Sequence, residues 1–587
     1  MDPEALEGFF RRTRLMVLVA VLFAILLLRL FHLQILEGAG FAQAAEDNRI
    51  ARKRLKAPRG LILDRDGEIL ARDRASYGIL LTRGRRAVDS MAVAALEEAV
   101  GHPLRYDRGQ RTLRLKRDVD FRTVAIVEER LSEDWALQVQ IEPQRLYPHG
   151  PLTAHVVGYM GELQESELGG GPHYAAGDYV GKTGLERDFE ASLRGLDGVA
   201  YVEVDAEQRT QNEHPFPDRD RPARPGGSLR LTVDLDLHRA AVEAMPDSLA
   251  GSVVVLDVRT GAVRALVSYP SFDPNAFVSF GAQAERVRLM RDPSRPLLNR
   301  AIRGRYPPGS TLKMVAAAAA LERGLTDTLS TFPRCYGSMS MGNVVFRCAS
   351  RRGHGELGLL EAMETSCNIY FYHLAQLLGI EAWHDYGRRL GLGSPTGIDL
   401  NPGEVSGQLP DRQFYADRQG WALGYLMNLV IGQGETLVTP LQVARYVAAI
   451  ANGGYLVTPH LHGRPPPAQR IEDLSASTLG IVRRAMHRVV HGDRGTGRRA
   501  RIEGLEIAGK SGTAQGPNRD DDAWFVAFAP YHRPEIAVVA VVEGGGGGGA
   551  VAAPVVRAVL EAWLADRVDE RSMAAAPAGA GRGGGGA

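Results

Sequence analysis

Fourteen consecutive apolar residues, Leu15 to Leu28, follow Arg11, Arg12 and Arg14 near the start of the chain. Extended to Leu36, the stretch reaches 22 residues and takes in Arg29, His32 and Gln34. A helix needs about 20 apolar residues to cross a bilayer, and Arg29 can snorkel to an interface. A basic start, an apolar core and Ala42-Gln43-Ala44 equally suit a cleaved signal peptide. Arg49, Arg52, Lys53, Arg54 and Lys56 lie just beyond the run, so charge asymmetry does not choose between the two. Both readings export the remainder of the chain.

Residues 45–225 read as a separate β-rich domain with some helix. Arg59 to Leu70 predicts two strands around the turn Asp66-Gly67. Gly181-Lys182-Thr183-Gly184 leads into a helical stretch, Leu185 to Leu193, and His214 to Pro225 reads as a linker or exposed loop. The pattern changes near Leu229. A short strand (Leu229 to Val233) precedes a helix (Leu235 to Ala244). A hairpin follows, Ser252 to Val258 and Ala262 to Ser268, turning at Arg259-Thr260-Gly261. Thr311 to Glu322 is rich in Ala, Leu and Met and predicts a helix. Residues 355–450 are mainly helical, and Ala523 to Ala529 and Glu535 to Val542 read as paired apolar strands. The glycine run Gly544 to Gly549 and a closing helix, Ala553 to Leu564, complete the unit. Hairpin strands at both ends with helices between them predict an α+β fold, an antiparallel sheet carrying helices on its faces. Residues 566–587 turn polar and then Ala/Gly-rich and are expected to be disordered.

Composition narrows this only slightly. Apolar content of 44% and charged content of 24% are ordinary for globular protein, and a net charge of +1 gives no sign of nucleic acid. Three cysteines are too few for a disulfide framework. Lysine usage is more informative. Of 70 basic side chains only six are Lys, at 53, 56, 116, 182, 313 and 510. Arg cannot give up its proton in a protein, whereas a buried Lys can. The two lysines that remain after residue 182 are therefore candidates for proton chemistry.

Lys313 lies in Tyr306-Pro307-Pro308-Gly309-Ser310-Thr311-Leu312-Lys313. Prolines and glycine stop any preceding element, and Ser310 is a preferred helix-start residue. Positions three apart share a helix face, which would put the Lys313 amine within reach of the Ser310 hydroxyl: a nucleophile beside a base at a helix N-terminus. Ser-x-x-Lys alone arises by chance about once or twice in a chain this long, and a helix cap with a surface lysine explains it as well. Two further motifs follow in order. Ser366-Cys367-Asn368 opens an aromatic helical run, Ile369 to His373, and Lys510-Ser511-Gly512-Thr513 leads toward the late strands. Singly they read as a helix cap and a polar turn. As an ordered set they match the Ser-x-x-Lys, Ser-x-Asn, Lys-Ser/Thr-Gly series of penicillin-binding proteins and class A β-lactamases. Lys182-Thr183-Gly184 has the letters of the third motif, but it precedes the nucleophile and leads into a helix, so it is rejected.

With these residues in view the chain resembles a class B penicillin-binding protein of the elongation type. The resemblance runs from the N-terminal apolar run through Arg59 to Leu70 and Gly181 to Gly195. It continues through Tyr306 to Lys313, Gly432-Gln433-Gly434, Gly495-Thr496-Gly497 and Lys510 to Gln515. It implies a cytoplasmic N-terminus (1–14), an uncleaved anchor (15–36) in the bacterial inner membrane, and a pedestal domain (45–225). A periplasmic transpeptidase domain (229–565) and a disordered tail (566–587) would follow. It also implies chemistry. Ser310 attacks the carbonyl between the two terminal D-alanines of a peptidoglycan stem peptide while Lys313 takes its proton. An amine of a second stem peptide then resolves the acyl-enzyme into a cross-link. Ser366 would relay a proton to the leaving amine, and Asn368 would hold the substrate amide. Lys510 would tune Ser366, and Lys510, Ser511, Gly512 and Thr513 would bind the substrate and its terminal carboxylate. The N–H groups of Ser310 and Thr513 would form the oxyanion hole. β-Lactams would acylate Ser310 by the same route. A membrane glycosyltransferase of the shape–elongation–division–sporulation family is the implied partner. A division-specific transpeptidase, a D,D-carboxypeptidase, or a β-lactam sensor that acylates without turnover are the competing readings.

All three cysteines fall in the pattern Cys335-x12-Cys348-x5-His354-x12-Cys367. Three thiols and an imidazole are a closed tetrahedral zinc set. A Cys335–Cys348 disulfide, expected in an oxidising compartment, or buried free thiols are the alternatives. The resemblance bears on this, because some elongation-class members carry zinc on two Asp, one His and one Cys. His354 and Cys367 match that His and Cys, and Cys335 and Cys348 would take the Asp positions with softer ligands that suit zinc. One structural zinc ion is thus expected, pinning the loop that carries Ser366 and Asn368.

Overall fold

The computed structural model describes most of the chain between residues 3 and 575. Residues 41–48, 131–136, 205–209, 213–214, 517–519 and 576–587, most of 83–111 and 165–176, and positions 280 and 419 lie outside the described residues. Pro3–Phe31 form one helix, α1, continued by a π-helical turn at His32–Leu36. Its large apolar side chains, among them Leu18, Phe23, Leu28 and Leu36, are exposed. Arg11–Leu36 is long and apolar enough to cross a membrane. Ala42-Gln43-Ala44 lies outside the described residues.

The chain divides into two compact units that interleave along the sequence. One holds residues 1–58, 75–144 and 195–226; the other holds 59–74, 145–194 and 227–587. The expected 45–225 stretch therefore contributes to both. In the first unit Ile50–Leu55 pairs antiparallel with Gly198–Val204. In that second strand burial alternates residue by residue, as a half-buried sheet requires. In the second unit Ile62–Leu63 pairs in parallel with Leu229–Arg230. The Asp64 carboxylate accepts the N–H groups of Asp66, Gly67 and Glu68 and closes the predicted turn. Ile62, Leu70, Tyr147, Leu185 and Leu193 are buried in one core with Leu229, Leu231 and Val254, which is why these segments belong to the second unit.

That unit is built on a five-stranded antiparallel sheet. Its strands are β1 (Gly251–Asp257), β2 (Val263–Tyr269), β3 (Ala508–Ala514), β4 (Asp522–Ala529) and β5 (Ile536–Val542), in the order β2-β1-β5-β4-β3. Alternate side chains enter opposite cores. Val254, Leu256, Trp524, Val526, Val539 and Val541 share one. Val253, Val255, Phe525, Ala527, Val538 and Val542 share the other. A sheet covered on both faces has no polar side, and so β4 from Ala523 and β5 read as continuous apolar runs. The helices are α2 (Leu235–Glu243), α3 (Lys313–Glu322), α4 (Leu359–Glu364), α5 (Asn368–Leu378), α6 (Pro440–Ala451), α7 (Ala476–His491) and α8 (Ala552–Ala575). α6 packs on β1, β4 and β5, while α8 packs on β4 and β5 and α2 on the edge strand β2. α6 starts sharply because Thr439 and Gln442 form a reciprocal capping box before Pro440. α3 is buried from Lys313 to Ala320; its run of alanines lets neighbouring helices approach on every side. The α+β expectation holds.

Two expectations need correction. Ser310 does not cap a helix. It lies inside a 3₁₀ turn, Gly309–Leu312, that precedes α3, and no side-chain cap is present there. The closing helix does not stop at Leu564 but runs to Ala575, so residues 566–575 are helical. Polar residues there find partners. Asp566 pairs with Arg65 at 3.6 Å, and Arg567 pairs with Glu535 at 2.5 Å while lying over the Trp563 ring. The remaining tail, 576–587, lies outside the described residues.

Candidate active site

The Gly309–Leu312 turn is held close to β3 by backbone contact that tolerates only glycine. Gly309 has φ 56°, and a Cβ there would sit 2.7 Å from the Thr513 carbonyl oxygen. A Cβ on Gly432 would sit 1.9 Å from the Gly309 oxygen, and the Gly309 N–H donates to the Gly432 carbonyl at 2.9 Å. Thr311 Oγ1 donates to the Pro308 carbonyl, and Tyr446 donates to the Thr311 carbonyl, each at 2.8 Å. Ser310 is thus fixed, half-buried, beside Thr513.

Lys313, one turn on, is fully buried. Its Nζ donates to the Ser366 carbonyl at 2.7 Å and to Asn368 Oδ1 at 2.7 Å, and lies 3.2 Å from Ser366 Oγ. The direct Ser310–Lys313 pairing expected from the spacing is not among the hydrogen bonds of the described residues; Lys313 is turned toward the second motif. Lys510, also fully buried, donates from the other side to Ser366 Oγ at 2.9 Å and to the Ser511 carbonyl at 2.8 Å. One hydroxyl therefore bridges two amines. Burial lowers the Lys313 pKa to about 8. Burial, and then the neighbouring charge of Lys313, push Lys510 well below its usual range. Among the described residues no carboxylate neutralises either amine, so the pair cannot comfortably hold two protons.

Ser366 owes its direction to an unusual backbone. It has φ 56°, a left-handed conformation uncommon outside glycine. Cys367, not Ser366, occupies the N-cap position of α5, and no side chain caps that end. Asn368 Nδ2 donates to the Arg347 carbonyl at 3.1 Å, leaving Oδ1 for Lys313. On β3, Ser511 donates to Thr496 Oγ1 at 2.7 Å, and Thr513 Oγ1 accepts from the Gly548 N–H at 3.4 Å. Gln433 donates from Nε2 to the Thr513 carbonyl at 3.1 Å and accepts from the Gln515 N–H at 3.3 Å. Sequence reasoning gave Thr496 and Gln433 no role, although each sits in a Gly-x-Gly triplet whose small neighbours permit such close approach.

Cys335, Cys348, His354 and Cys367 also converge. Their ligand atoms lie within 4.8 Å of one another, and all three thiols are buried and free, without a disulfide. His354 Nδ1 is 3.4 Å from Cys348 Sγ and 3.9 Å from Cys335 Sγ. Cys348 Sγ lies 3.9 Å from Cys367 Sγ, and this contact lowers the pKa of Cys348 and raises that of Cys367.

A buried serine–lysine turn facing a second serine and a strand-borne lysine, on a two-sided antiparallel sheet, defines an active-site-serine acyl-transfer enzyme of the penicillin-binding class. Sequence comparison agrees. The penicillin binding protein transpeptidase domain matches residues 251–561, and the penicillin-binding protein dimerisation domain matches 54–231. Peptidoglycan D,D-transpeptidase MrdA of Haemophilus influenzae is 31% identical over 97% of this chain and 94% of its own length. Among solved structures, penicillin-binding protein 2 of Helicobacter pylori in complex with MreC is 27% identical with a TM-score of 0.78, covering 88% of this chain and all of that one. A chain of a peptidoglycan synthase complex coordinating polymerization and crosslinking is 31% identical with a TM-score of 0.73, covering 94% and 98%. The chain belongs to the penicillin-binding protein 2 (MrdA) family of peptidoglycan D,D-transpeptidases.

Proposed function

We propose that this protein is a membrane-anchored D,D-transpeptidase that cross-links peptidoglycan stem peptides during wall elongation, with Ser310 as nucleophile. The observation that carries the reading is the Lys313–Ser366–Lys510 chain of hydrogen bonds beside Ser310. A neutral amine has two N–H donors and one lone pair. The Ser366 carbonyl and the Asn368 amide oxygen take both donors of Lys313, which leaves its lone pair for a proton on the side of the Ser366 hydroxyl, 3.2 Å away. A substrate ending in a D-alanine carboxylate favours charge on Lys510 and leaves Lys313 as the base. Ser310 then attacks the carbonyl between the terminal D-alanines, and Lys313 takes the hydroxyl proton. Ser366 passes that proton to the departing amine, and D-alanine leaves. An amine of a second stem peptide attacks the ester and forms the cross-link. The N–H groups of Ser310 and Thr513 face the developing oxyanion, each such donor supplying about 2.7–4 kcal/mol of barrier lowering. Penicillins acylate Ser310 by the same steps. Fluorescent penicillin labelling tests the reading: wild type takes label and Ser310→Ala takes none. Equal labelling would refute it.

The apolar α1 supports a single-pass anchor in the bacterial inner membrane, with the chain that follows it in the periplasm. The solved complex of a penicillin-binding protein 2 with MreC and the synthase complex support a scaffold partner and a glycosyltransferase of the shape–elongation–division–sporulation family for this chain too.

The Cys/His set suits one structural zinc ion. Three thiols and an imidazole in a shared 4.8 Å cluster are the donor types zinc prefers. The ion would be held by Cys335, Cys348, His354 and Cys367, neutralising the thiolates and pinning Cys367 between Ser366 and Asn368. Metal analysis of the purified protein is expected to return one zinc per chain, lost in Cys367→Ser. A metal-free and fully active wild type removes this part of the proposal.

A further inference from the structure

We propose that Glu364 is a positioning residue for acylation, its main-chain carbonyl holding Thr496 and its buried carboxylate holding the loop that presents Thr496, so that together they fix the separation of Ser366 and Lys510. The inference rests on the transpeptidase reading of those two residues. Glu364 ends α4, two residues before Ser366, and its side chain is only 4% exposed. Oε2 accepts from Arg488 Nε at 2.8 Å and from Arg488 Nη2 at 2.7 Å. Oε1 accepts from the Arg494 N–H at 2.9 Å, and the Glu364 carbonyl accepts from the Thr496 N–H at 3.3 Å. A Cβ on Gly492 would lie 2.4 Å from Oε1, so the loop after α7 admits the carboxylate only because that position is glycine. Thr496 then receives the Ser511 hydroxyl at 2.7 Å, next to Lys510.

These bonds close a ring. It runs from Ser366 to Lys510, along β3 to Ser511, across to Thr496, down to Glu364 and back along the chain to Ser366. A non-glycine residue in the left-handed region persists only where its surroundings over-determine it. Ser366 is such a residue, and the ring holds it from both sides. Arg488 also reaches Glu361 at 2.8 Å, one turn earlier on α4 and 39% exposed. Glu361 thus braces α4 against α7 without touching the ring, and separates a positioning role from a bracing one.

The test is the acylation rate of the full-length protein with a fluorescent penicillin. Glu364→Gln puts an amide donor or a neutral oxygen where Arg488 and the Arg494 N–H now find charge. The expected loss is on the order of a hundredfold, the scale of an ångström misplacement at a reacting group. Glu361→Gln stays within about fivefold of wild type. Glu364→Gln combined with Thr496→Val is little slower than the slower single variant, since the first loosens the loop that presents Thr496 and the second removes the contact that loop makes with Ser511. Additive losses, or a Glu364→Gln enzyme that acylates at the wild-type rate, overturn the proposal. If Glu364→Gln does not fold, Glu364→Asp keeps the charge, shortens the reach and is put through the same cycle. A wild type that takes no label overturns the transpeptidase reading and this inference with it. A labelled wild type with an unaffected Glu364→Gln overturns this one alone.

Discussion

Two buried clusters of basic side chains in the larger unit are built on opposite principles. In one, Arg59 and Arg145 share the fully buried Glu186, each at 2.6 Å. Glu190 adds a contact to Arg59 at 2.7 Å, and Asp73 one to Arg145 at 3.3 Å. Every charge meets its opposite, and the pKa values move to keep it: Glu186 is lowered despite its burial, and Arg59 is raised. In the other, Lys313 and Lys510 are equally buried, but their hydrogen-bond partners are a hydroxyl, an amide oxygen and two carbonyls. There the pKa values fall. The first arrangement holds charge in place to fasten the 59–74 and 145–194 segments into the unit. The second makes charge easy to lose, as a base requires. The residue types follow: Arg where a proton must stay, Lys where it must leave.

Exchanging the two principles gives the largest effect. Lys313→Arg restores a permanent charge in the second cluster. Acylation is expected to fall by about 10²–10⁴ while the protein remains folded by circular dichroism; retained activity would mean that no base is needed at 313. Glu186→Gln does the reverse, leaving Arg59 and Arg145 short of charge. It should lower unfolding free energy by about 3–5 kcal/mol, seen as a reduced Tm, with the acylation rate of the folded protein unchanged. Arg59→Lys keeps the charge but loses the planar fork, for a loss of about 1–3 kcal/mol in the same measurement. The smallest effect is on pH. Lys313 titrates near 8 in the folded protein against its ordinary 10.5, and only its neutral form is a base. Acylation should level off above about pH 8 and fall about tenfold per unit below it. A midpoint at the ordinary value would break the contrast between the clusters. The sign for stability follows from the same shift. Between about pH 8 and 10.5 the unfolded chain still holds a proton that the folded chain has lost, so stability rises with pH across that window.

The two clusters also differ in how legible they are. The three candidate catalytic motifs can be read because each binds its chemistry to a short local pattern: a proline–glycine stop, a helix start, a strand. Strands β4 and β5 of the central sheet can be read because burial on both faces makes Ala523–Ala529 and Ile536–Val542 wholly apolar, whereas β3, with Lys510, Ser511 and Thr513, has no such run. The Arg59–Arg145–Glu186 cluster has no such mark, since its members are 41 and 127 positions apart and each looks like a surface charge. For the same reason the allocation of residues 59–74 and 145–194 to the larger unit was hidden. The early end assigned to α8 reflects a polar, then glycine-rich composition that carried no hint of Glu535 and Arg65 as partners.

The sequence by itself determined the order of elements, the family, the candidate nucleophile and the identity of the four metal-ligand candidates, because each is a property of nearby residues and their types. Only the tertiary structure decided that Lys313 turns from Ser310 toward Ser366 and Asn368. It also decided that Ser366 takes a left-handed backbone, that Thr496 and Gln433 brace β3, and that Glu364 ties the loops together. Those outcomes depend on which groups from distant segments satisfy one another once water is excluded, and a buried donor or acceptor takes whichever partner the packing brings within reach.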